Sequence, residues 1–350
     1  MTQDEFVLSG LMLNPDGQVS ESTLLLSNGI ITRISPGRDP GADLVVDGVI
    51  VPGLVDLQVN GAYGCDFTND ASTINQVARR LTETGVTAFM PTIITSAFDA
   101  YPARLAEFNG AMHEAGADQA HVLGVHLEGP YLNPVRKGAH PKELIRPIDV
   151  AEMKLWAGHK VVRIVTLAVE LDGALDAVRA LREMGIVTSI GHSNATYEQA
   201  LAGFQAGANW ATHLYNAQSP LLHREPGLMG AILVSTVPCG IIVDGIHSHP
   251  AMVNLAWKAK GVNGITLVTD CMAAMGMPPG KYELGHYEVI VTPDSARLVN
   301  GTLAGSILRM DQAVCNMMAF TGCSLAEAVG MASTTPARLL GLDRCGALLP

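Results

Sequence analysis

Eight short apolar runs recur along the chain, and a helix-length segment follows most of them. The runs cover 51–57, 86–91, 121–127, 161–168, 186–190, 208–212, 239–243 and 264–269. Runs of this length, bounded by Gly, Pro or a helical pattern, are typical of strands buried on both faces of a parallel sheet. The intervening helical stretches are 72–84, 99–115, 172–184, 196–206 and 248–260. This alternation predicts an α/β fold, a (β/α)8 TIM barrel, and leaves an open doubly wound sheet as the alternative.

The two ends of the chain have a different pattern. Residues 1–52 are predicted to form a small β domain, with turns at Pro15-Asp16-Gly17 and at Asn28-Gly29, the latter a strong hairpin signal. The barrel is expected over 53–337, with a β-ribbon inserted near 280–300 and a last helix from about Ser324 to Leu340 that Pro336 breaks. Residues 338–350 are candidates to join the small domain.

Polar residues follow the apolar runs, as expected at the catalytic mouth of a barrel. Glu128, His192 and His213 each follow a different run, and together they suit a zinc or iron site that keeps a position open for water. Asp270 follows the eighth run and is a candidate proton shuttle. Taken singly, each has an ordinary alternative: an ion pair for Glu128, a hydrogen-bonded structural histidine, and a helix N-cap for Asp270. The combination predicts a metal-dependent hydrolase.

Other polar residues are candidate substrate contacts. Gln58 and Asn60 alternate with an apolar residue and so share one face, but neutral amides are poor zinc ligands, which favours a single metal ion. Arg224 is suited to binding phosphate or carboxylate, although a surface charge is as good an explanation. His140 and His247, on predicted loops, could polarise a carbonyl or bind an anion.

Composition excludes several function classes. The 350 residues carry a net charge of −11, which argues against nucleic acid or an anionic membrane as partner. No apolar run is long enough to cross a bilayer, and "MTQDEF" has no signal-peptide pattern, so a cytoplasmic enzyme is expected. The six cysteines show no metal-binding spacing and are predicted to be reduced thiols.

The motifs also carry a family resemblance. The chain resembles the amidohydrolase superfamily, and within it the deacetylases of N-acetylglucosamine 6-phosphate, over nearly its whole length. The matching stretches are "PGLVDLQVNG", "GVHLEGPYLNPVRKGAH", "GHSNAT", "THLYNAQSPLLHREPGLMGA", "IIVDGIH", "LVTDCMAAMG", "GTLAGS" and "STTPARLLGL". Members continue beyond "GALLP" with a strand that returns to the small domain, so we expect either a truncated chain or a domain closed by fewer strands.

The resemblance implies a TIM barrel with a small β-sandwich domain, and hydrolysis of the N-acetyl group to acetate and glucosamine 6-phosphate. It implies one divalent metal per subunit, Zn²⁺ or Fe²⁺, on Glu128, His192 and His213, with Asp270 as acid/base and His140 or His247 at the oxyanion. It implies a homodimer in which Arg224 and His247 reach the partner's phosphate site. The implied substrate contacts are Gln58, Asn60, Ala139, His140, Asn216, Ala217, Arg224, Asp244, Gly245, Ile246, His247, Leu303, Ala304 and Gly305. Two alternatives remain: the N-acetylgalactosamine 6-phosphate deacetylase and a non-catalytic sugar-phosphate sensor.

Overall fold

The computed structural model describes residues 5–113 and 116–350. Its centre is a parallel sheet in which eight strands lie side by side in chain order, each within or overlapping an apolar run of the sequence, and a ninth short strand, His121–Val122, also pairs with the second. The barrel strands, first to eighth, are Leu54–Val59, Val86–Ile94, Val125–Glu128, Val162–Leu167, Val187–Ile190, Trp210–Ala211, Cys239–Ile241 and Ile265–Leu267. A parallel bridge between Val59 and Cys271 joins the two ends of the sheet. The TIM-barrel prediction is therefore confirmed.

Helices follow the strands and cover the outside of the barrel. The helices of the barrel region are Ile74–Leu81, Tyr101–His113, Val150–Ala157, Ala174–Glu183, Tyr197–Ala206, Gly227–Val234, Pro250–Lys260 and Met310–Thr321. The five predicted helices all form, and positions 114–115 of the predicted 99–115 segment lie outside the described residues. No helix within the described ranges is long and apolar enough to cross a membrane.

The predicted strands of the small domain form one mixed sheet, in which two strand pairs are antiparallel and one is parallel. Its strands are Glu5–Leu13, Val19–Ser27, Ile30–Pro36 and Leu44–Ile50, with the third, second, first and fourth side by side. Asn28 and Gly29 both have positive φ, 50° and 75°, as the predicted two-residue hairpin requires. Residues 338–350 add no strand to this sheet.

The end of the chain departs from the prediction in one detail. The ribbon forms as strands Gly280–Leu284, Tyr287–Val291 and Ala296–Leu298, but the last helical stretch is divided into Leu325–Ala332 and Thr334–Leu339. The break lies at Ser333, with φ −135° and ψ −70°, and not at Pro336. Proline has no N–H and is tolerated in the first turn of a helix, so the chain restarts its helix just before Pro336.

Candidate active site

A cavity of about 300 Å³ opens where the barrel strands end, within the size range of small-ligand sites, about 300–1,000 Å³. Most of the predicted site residues line it. These are Asn60, Glu128, Ala139, His140, His192, His213, Asn216, Ala217, His247, Asp270, Leu303 and Gly305. The barrel thus gathers residues that are separated by more than two hundred positions in the sequence.

Glu128, His192 and His213 form a buried cluster at the floor of this cavity. The Nε2 of His213 lies 3.0 Å from Oε1 of Glu128 and 3.1 Å from Nε2 of His192. Burial by itself raises the pKa of the Glu128 carboxyl, but the side chains of His140, His192 and His213 around it hold that pKa well below its usual range. The carboxylate is therefore ionised, and the surrounding imidazoles stabilise it.

The backbone is unusual at the residues that point into the cluster. His192, His213 and Asp270 have φ of 45°, 23° and 49°, in the left-handed region that non-glycine residues seldom adopt. A Cβ at Gly138, which has φ 56°, would lie 2.9 Å from Cε1 of His192. Strained backbone of this kind costs energy and persists only where surrounding contacts hold it in place. It is found most often at functional sites.

Hydrogen bonds fix the tautomer of His192. Its Nδ1 lies 2.9 Å from the backbone carbonyl oxygen of Arg136, which can only accept, so Nδ1 carries the proton and Nε2 presents a lone pair to the cluster. Glu170 holds the same loop by accepting from the hydroxyl of Ser193 and from the backbone N–H of Asn194, both at 2.6 Å. This is the arrangement that orients a metal-ligating histidine.

His140 has the opposite tautomer, although its ring centroid is only 4.4 Å from that of His192. The backbone N–H of Thr95 donates to Nδ1 of His140 at 3.2 Å, so the proton of the neutral ring is on Nε2. Burial, together with the neighbouring ring of His192, lowers the pKa of His140 to about 4, so the ring is neutral at pH 7. Nε2 lies 3.6 Å from Oε2 of Glu128 and offers an N–H to the cavity.

Asp270 is the second carboxyl of the floor. The side-chain amide of Asn60 donates to its Oδ1 at 2.7 Å. Burial, and then the charge of Glu128, raise the pKa of Asp270 to about 6. A carboxyl with a pKa near neutrality can both accept and return a proton, as general acid/base catalysis requires.

These side chains fit a divalent metal ion. Ligand atoms of Glu128, His140 and His192 all lie within 4.8 Å of one another, and His213 is in contact with two of these residues. The Nδ1 of His213 is buried and has no partner within the described residues. Because the tautomer of His140 places a proton on its inward nitrogen, Glu128, His192 and His213 are the better ligand set.

Gln58 does not line the cavity, contrary to its predicted role as a substrate contact. Its side chain is fully buried beneath the cluster, where its amide nitrogen donates to Oε1 of Glu128 at 3.1 Å. The hydroxyl of Thr212 donates to the amide oxygen at 2.6 Å and fixes the orientation of the group. Gln58 therefore positions the carboxylate from below.

Five other predicted contacts lie outside the cavity wall of the single chain. Arg224 is exposed, lies 2.7 Å from His223 and lines a separate cavity with Asn194 and Tyr197. Asp244 lies behind His247, whose Nδ1 is 2.6 Å from Oδ2 of the carboxyl. Gly245, Ile246 and Ala304 also do not line the cavity.

The sequence reasoning missed Thr95, Arg136 and Glu170. Thr95 follows the apolar run of the second strand, so the criterion that found Glu128 and Asp270 applies to it as well. Arg136 lines the cavity and lies within the motif "NPVRKGAH", which also contains the predicted contacts Ala139 and His140. Glu170 follows the apolar run 161–168 after Val169, so the same criterion applies to it, but its loop contacts appear only in the fold.

Known proteins agree with this architecture. The profile of the amidohydrolase family matches residues 49–350. The N-acetylglucosamine-6-phosphate deacetylase of Bacillus subtilis is 41% identical over 99% of this chain and 88% of its own length. The N-acetylgalactosamine-6-phosphate deacetylase of Escherichia coli O157:H7 is 38% identical over 95% of this chain and 88% of its own.

A solved structure matches the fold closely. It is a mutant of the Mycobacterium smegmatis N-acetyl-D-glucosamine-6-phosphate deacetylase in complex with N-acetyl-D-glucosamine-6-phosphate, 32% identical with a TM-score of 0.91, over 98% of this chain and 92% of that chain. The chain therefore belongs to the amidohydrolase family, in the group of N-acetylglucosamine-6-phosphate deacetylases.

Proposed function

We propose that the enzyme hydrolyses the N-acetyl group of N-acetyl-D-glucosamine 6-phosphate to D-glucosamine 6-phosphate and acetate, in amino sugar catabolism. The main support is the position of Asp270, a carboxyl of pKa about 6, in the same cavity as the Glu128–His192–His213 cluster. A sugar-phosphate sensor has no use for a proton shuttle, and the relatives described above are deacetylases.

The metal is proposed to be one divalent ion held by Glu128, His192 and His213. Two imidazoles and a carboxylate are a ligand set of catalytic Zn²⁺ sites with an open position, and Fe²⁺ also suits them. When bound, such an ion polarises a carbonyl and makes water more acidic. Gln58, Arg136 and Glu170 keep the ligand atoms in place through the hydrogen bonds described above.

Asp270 and His140 perform the proton chemistry. Asp270 takes the proton of the attacking water and returns it to the amine nitrogen as the C–N bond breaks, which yields acetate and the free amine. Asn60 holds the carboxyl for both steps. The Nε2–H of His140 donates to the acetamide oxygen, and this bond strengthens as the oxygen gains negative charge.

The substrate phosphate is proposed to bind at the rim, in a homodimer. In the single chain Arg224 is exposed and away from the cavity, so it is available to the cavity of a second subunit. His247 lines the cavity, and its Nδ1 lies 2.6 Å from Oδ2 of Asp244. Burial opposes ionisation of Asp244, but the hydrogen bond from His247 outweighs it and lowers the pKa of that carboxyl. We place the reaction in the cytoplasm, where the six free cysteines stay reduced.

The decisive experiment is acetate release by the metal-loaded protein. N-acetylglucosamine 6-phosphate and N-acetylgalactosamine 6-phosphate are assayed side by side, with protein stripped of metal by a chelator as the matched control. We expect acetate from the gluco sugar, little from the stripped protein, and recovery on adding Zn²⁺. Faster turnover of the galacto sugar would change the substrate, and no acetate from either sugar would refute the function.

A further inference from the structure

The phosphate of the proposed substrate needs a cationic partner in this cavity that is separate from the metal ion at its floor. Its floor carries the carboxyls of Glu128 and Asp270, and a sugar phosphate brings nearly two further negative charges at pH 7. Within the part of the chain that the structure describes, Arg136 is the one arginine or lysine that lines this cavity. Arg224, the predicted phosphate contact, lines a different one.

The guanidinium of Arg136 is held at one edge and available at the other. Its Nε donates to the side-chain oxygen of Asn194 at 2.9 Å. Over residues 5–113 and 116–350 no carboxylate forms an ion pair with Arg136, and its Nη1 and Nη2 have no hydrogen-bond acceptor. Two free N–H groups on one planar edge are suited to a bidentate contact with a phosphate.

The position of Arg136 is fixed before any ligand binds. Asn194, its partner, donates its backbone N–H to Glu170 at 2.6 Å. The backbone carbonyl of Arg136 accepts from His192 at 2.9 Å, and the short helix Pro134–Arg136 begins with a side-chain cap from Asn133. Because these contacts already order the loop, binding an anion there requires little further loss of entropy.

We propose that Arg136 is a phosphate contact supplied by the same chain that holds the catalytic floor. It acts in addition to the phosphate contact proposed for Arg224 of a second subunit. The proposal rests on the function proposed above, in that it assigns the phosphorylated end of the substrate to this edge of the cavity. It makes Arg136 a specificity-determining residue, since its side chain distinguishes a phosphorylated sugar from a neutral one.

The test is Arg136→Ala, with Arg338→Ala as the matched control. Arg338 also donates to an asparagine, Asn263, at 2.8 Å, but it does not line the cavity. The readout is the ratio of kcat/KM for N-acetylglucosamine 6-phosphate to kcat/KM for N-acetylglucosamine. We expect Arg136→Ala to lower this ratio by about tenfold to a hundredfold, through KM for the phosphorylated sugar, and Arg338→Ala to leave it unchanged.

Two further measurements separate the proposal from its alternatives. The affinity for inorganic phosphate, measured by calorimetry, should weaken by about tenfold in Arg136→Ala. Bound metal should stay equal to wild type, because any residue at 136 keeps the carbonyl that His192 uses. An unchanged ratio, or equal losses on both sugars with lost metal, would overturn the proposal. A wild type that binds phosphate through Arg136 but releases no acetate would instead refute the proposed function.

Discussion

The floor and the rim of the cavity are built in different ways. The floor, defined as Glu128, His192, His213 and Asp270, stands at strand ends, with strained backbone at the last three, and its ligand groups are nearly inaccessible to solvent. The rim, defined as Arg136, Asn216, Ala217 and His247, lies on loops and one short helix and is partly exposed. Since buried charges depend strongly on their partners, floor substitutions should reduce turnover of any substrate, whereas rim substitutions should change which substrate is preferred.

The largest effect is expected for Asp270→Asn at the floor. The amide cannot take the proton of water, so kcat should fall by about 10²–10⁴-fold while metal content is retained. Acetate release and elemental analysis check both parts. Near-normal turnover would contradict the acid/base role.

His140→Ala tests whether two neighbouring imidazoles have different roles. Loss of the Nε2–H donor should lower kcat by about 10²–10³-fold with the metal still bound. His192→Ala is the matched comparison and should lose metal, because it removes a lone pair instead of a donor. If His140→Ala is the variant that loses metal, the tautomer argument is wrong.

Glu170→Gln tests a residue that supports the floor from outside, through the loop that carries His192. The amide cannot accept from Ser193, Asn194 and Asn133 together, so the loop that carries His192 should loosen. We expect metal affinity to weaken by about tenfold to a hundredfold, measured by competition with a chelator. Asp172→Asn, an exposed change two residues away, serves as control. Equal affinities in all three proteins would show that the loop is held without Glu170.

At the rim, Arg224→Ala tests whether a residue of one subunit contributes to the cavity of a second subunit. If Arg224 serves the partner's cavity, KM for the phosphorylated sugar should rise by about tenfold while KM for the unphosphorylated sugar changes little. Light scattering after size exclusion gives the mass of the wild type. A monomer that is fully active would exclude the proposed role in the partner's cavity.

The smallest effect concerns Asp56, which supports the floor from inside the barrel. Burial raises the pKa of Asp56 to about 7, so the folded state binds its proton more tightly than the unfolded chain does. Lowering the pH from about 7 towards 4 therefore stabilises the fold through this carboxyl, and raising it through 7 removes that contribution. In urea unfolding, the free energy of unfolding of the wild type minus that of Asp56→Asn should increase as the pH is lowered from about 7. A difference independent of pH would contradict the shift.

Much of the fold could be predicted, because the alternation of apolar runs and helices is a local property. All eight runs became barrel strands, and the hairpin at Asn28-Gly29 formed because this pair adopts positive φ readily. The break near the chain end was misplaced, since Pro336 fits the first turn of a helix as well as it ends one. The criterion of a polar residue after an apolar run found Glu128 and Asp270 and would also have found Thr95 and Glu170.

The order of residues along the chain was enough to predict a TIM barrel with carboxylates and imidazoles at its mouth, against an open doubly wound sheet as the alternative, because strand burial and side-chain chemistry are encoded locally. Only the closed barrel decided which of those groups do what. It buried Gln58 under Glu128 and placed the ring proton of His140 on Nε2 but that of His192 on Nδ1. It also turned Arg136 towards the cavity and Arg224 away from it. The physical reason is that a hydrogen bond depends on neighbours in space, and here those neighbours lie tens to hundreds of residues apart.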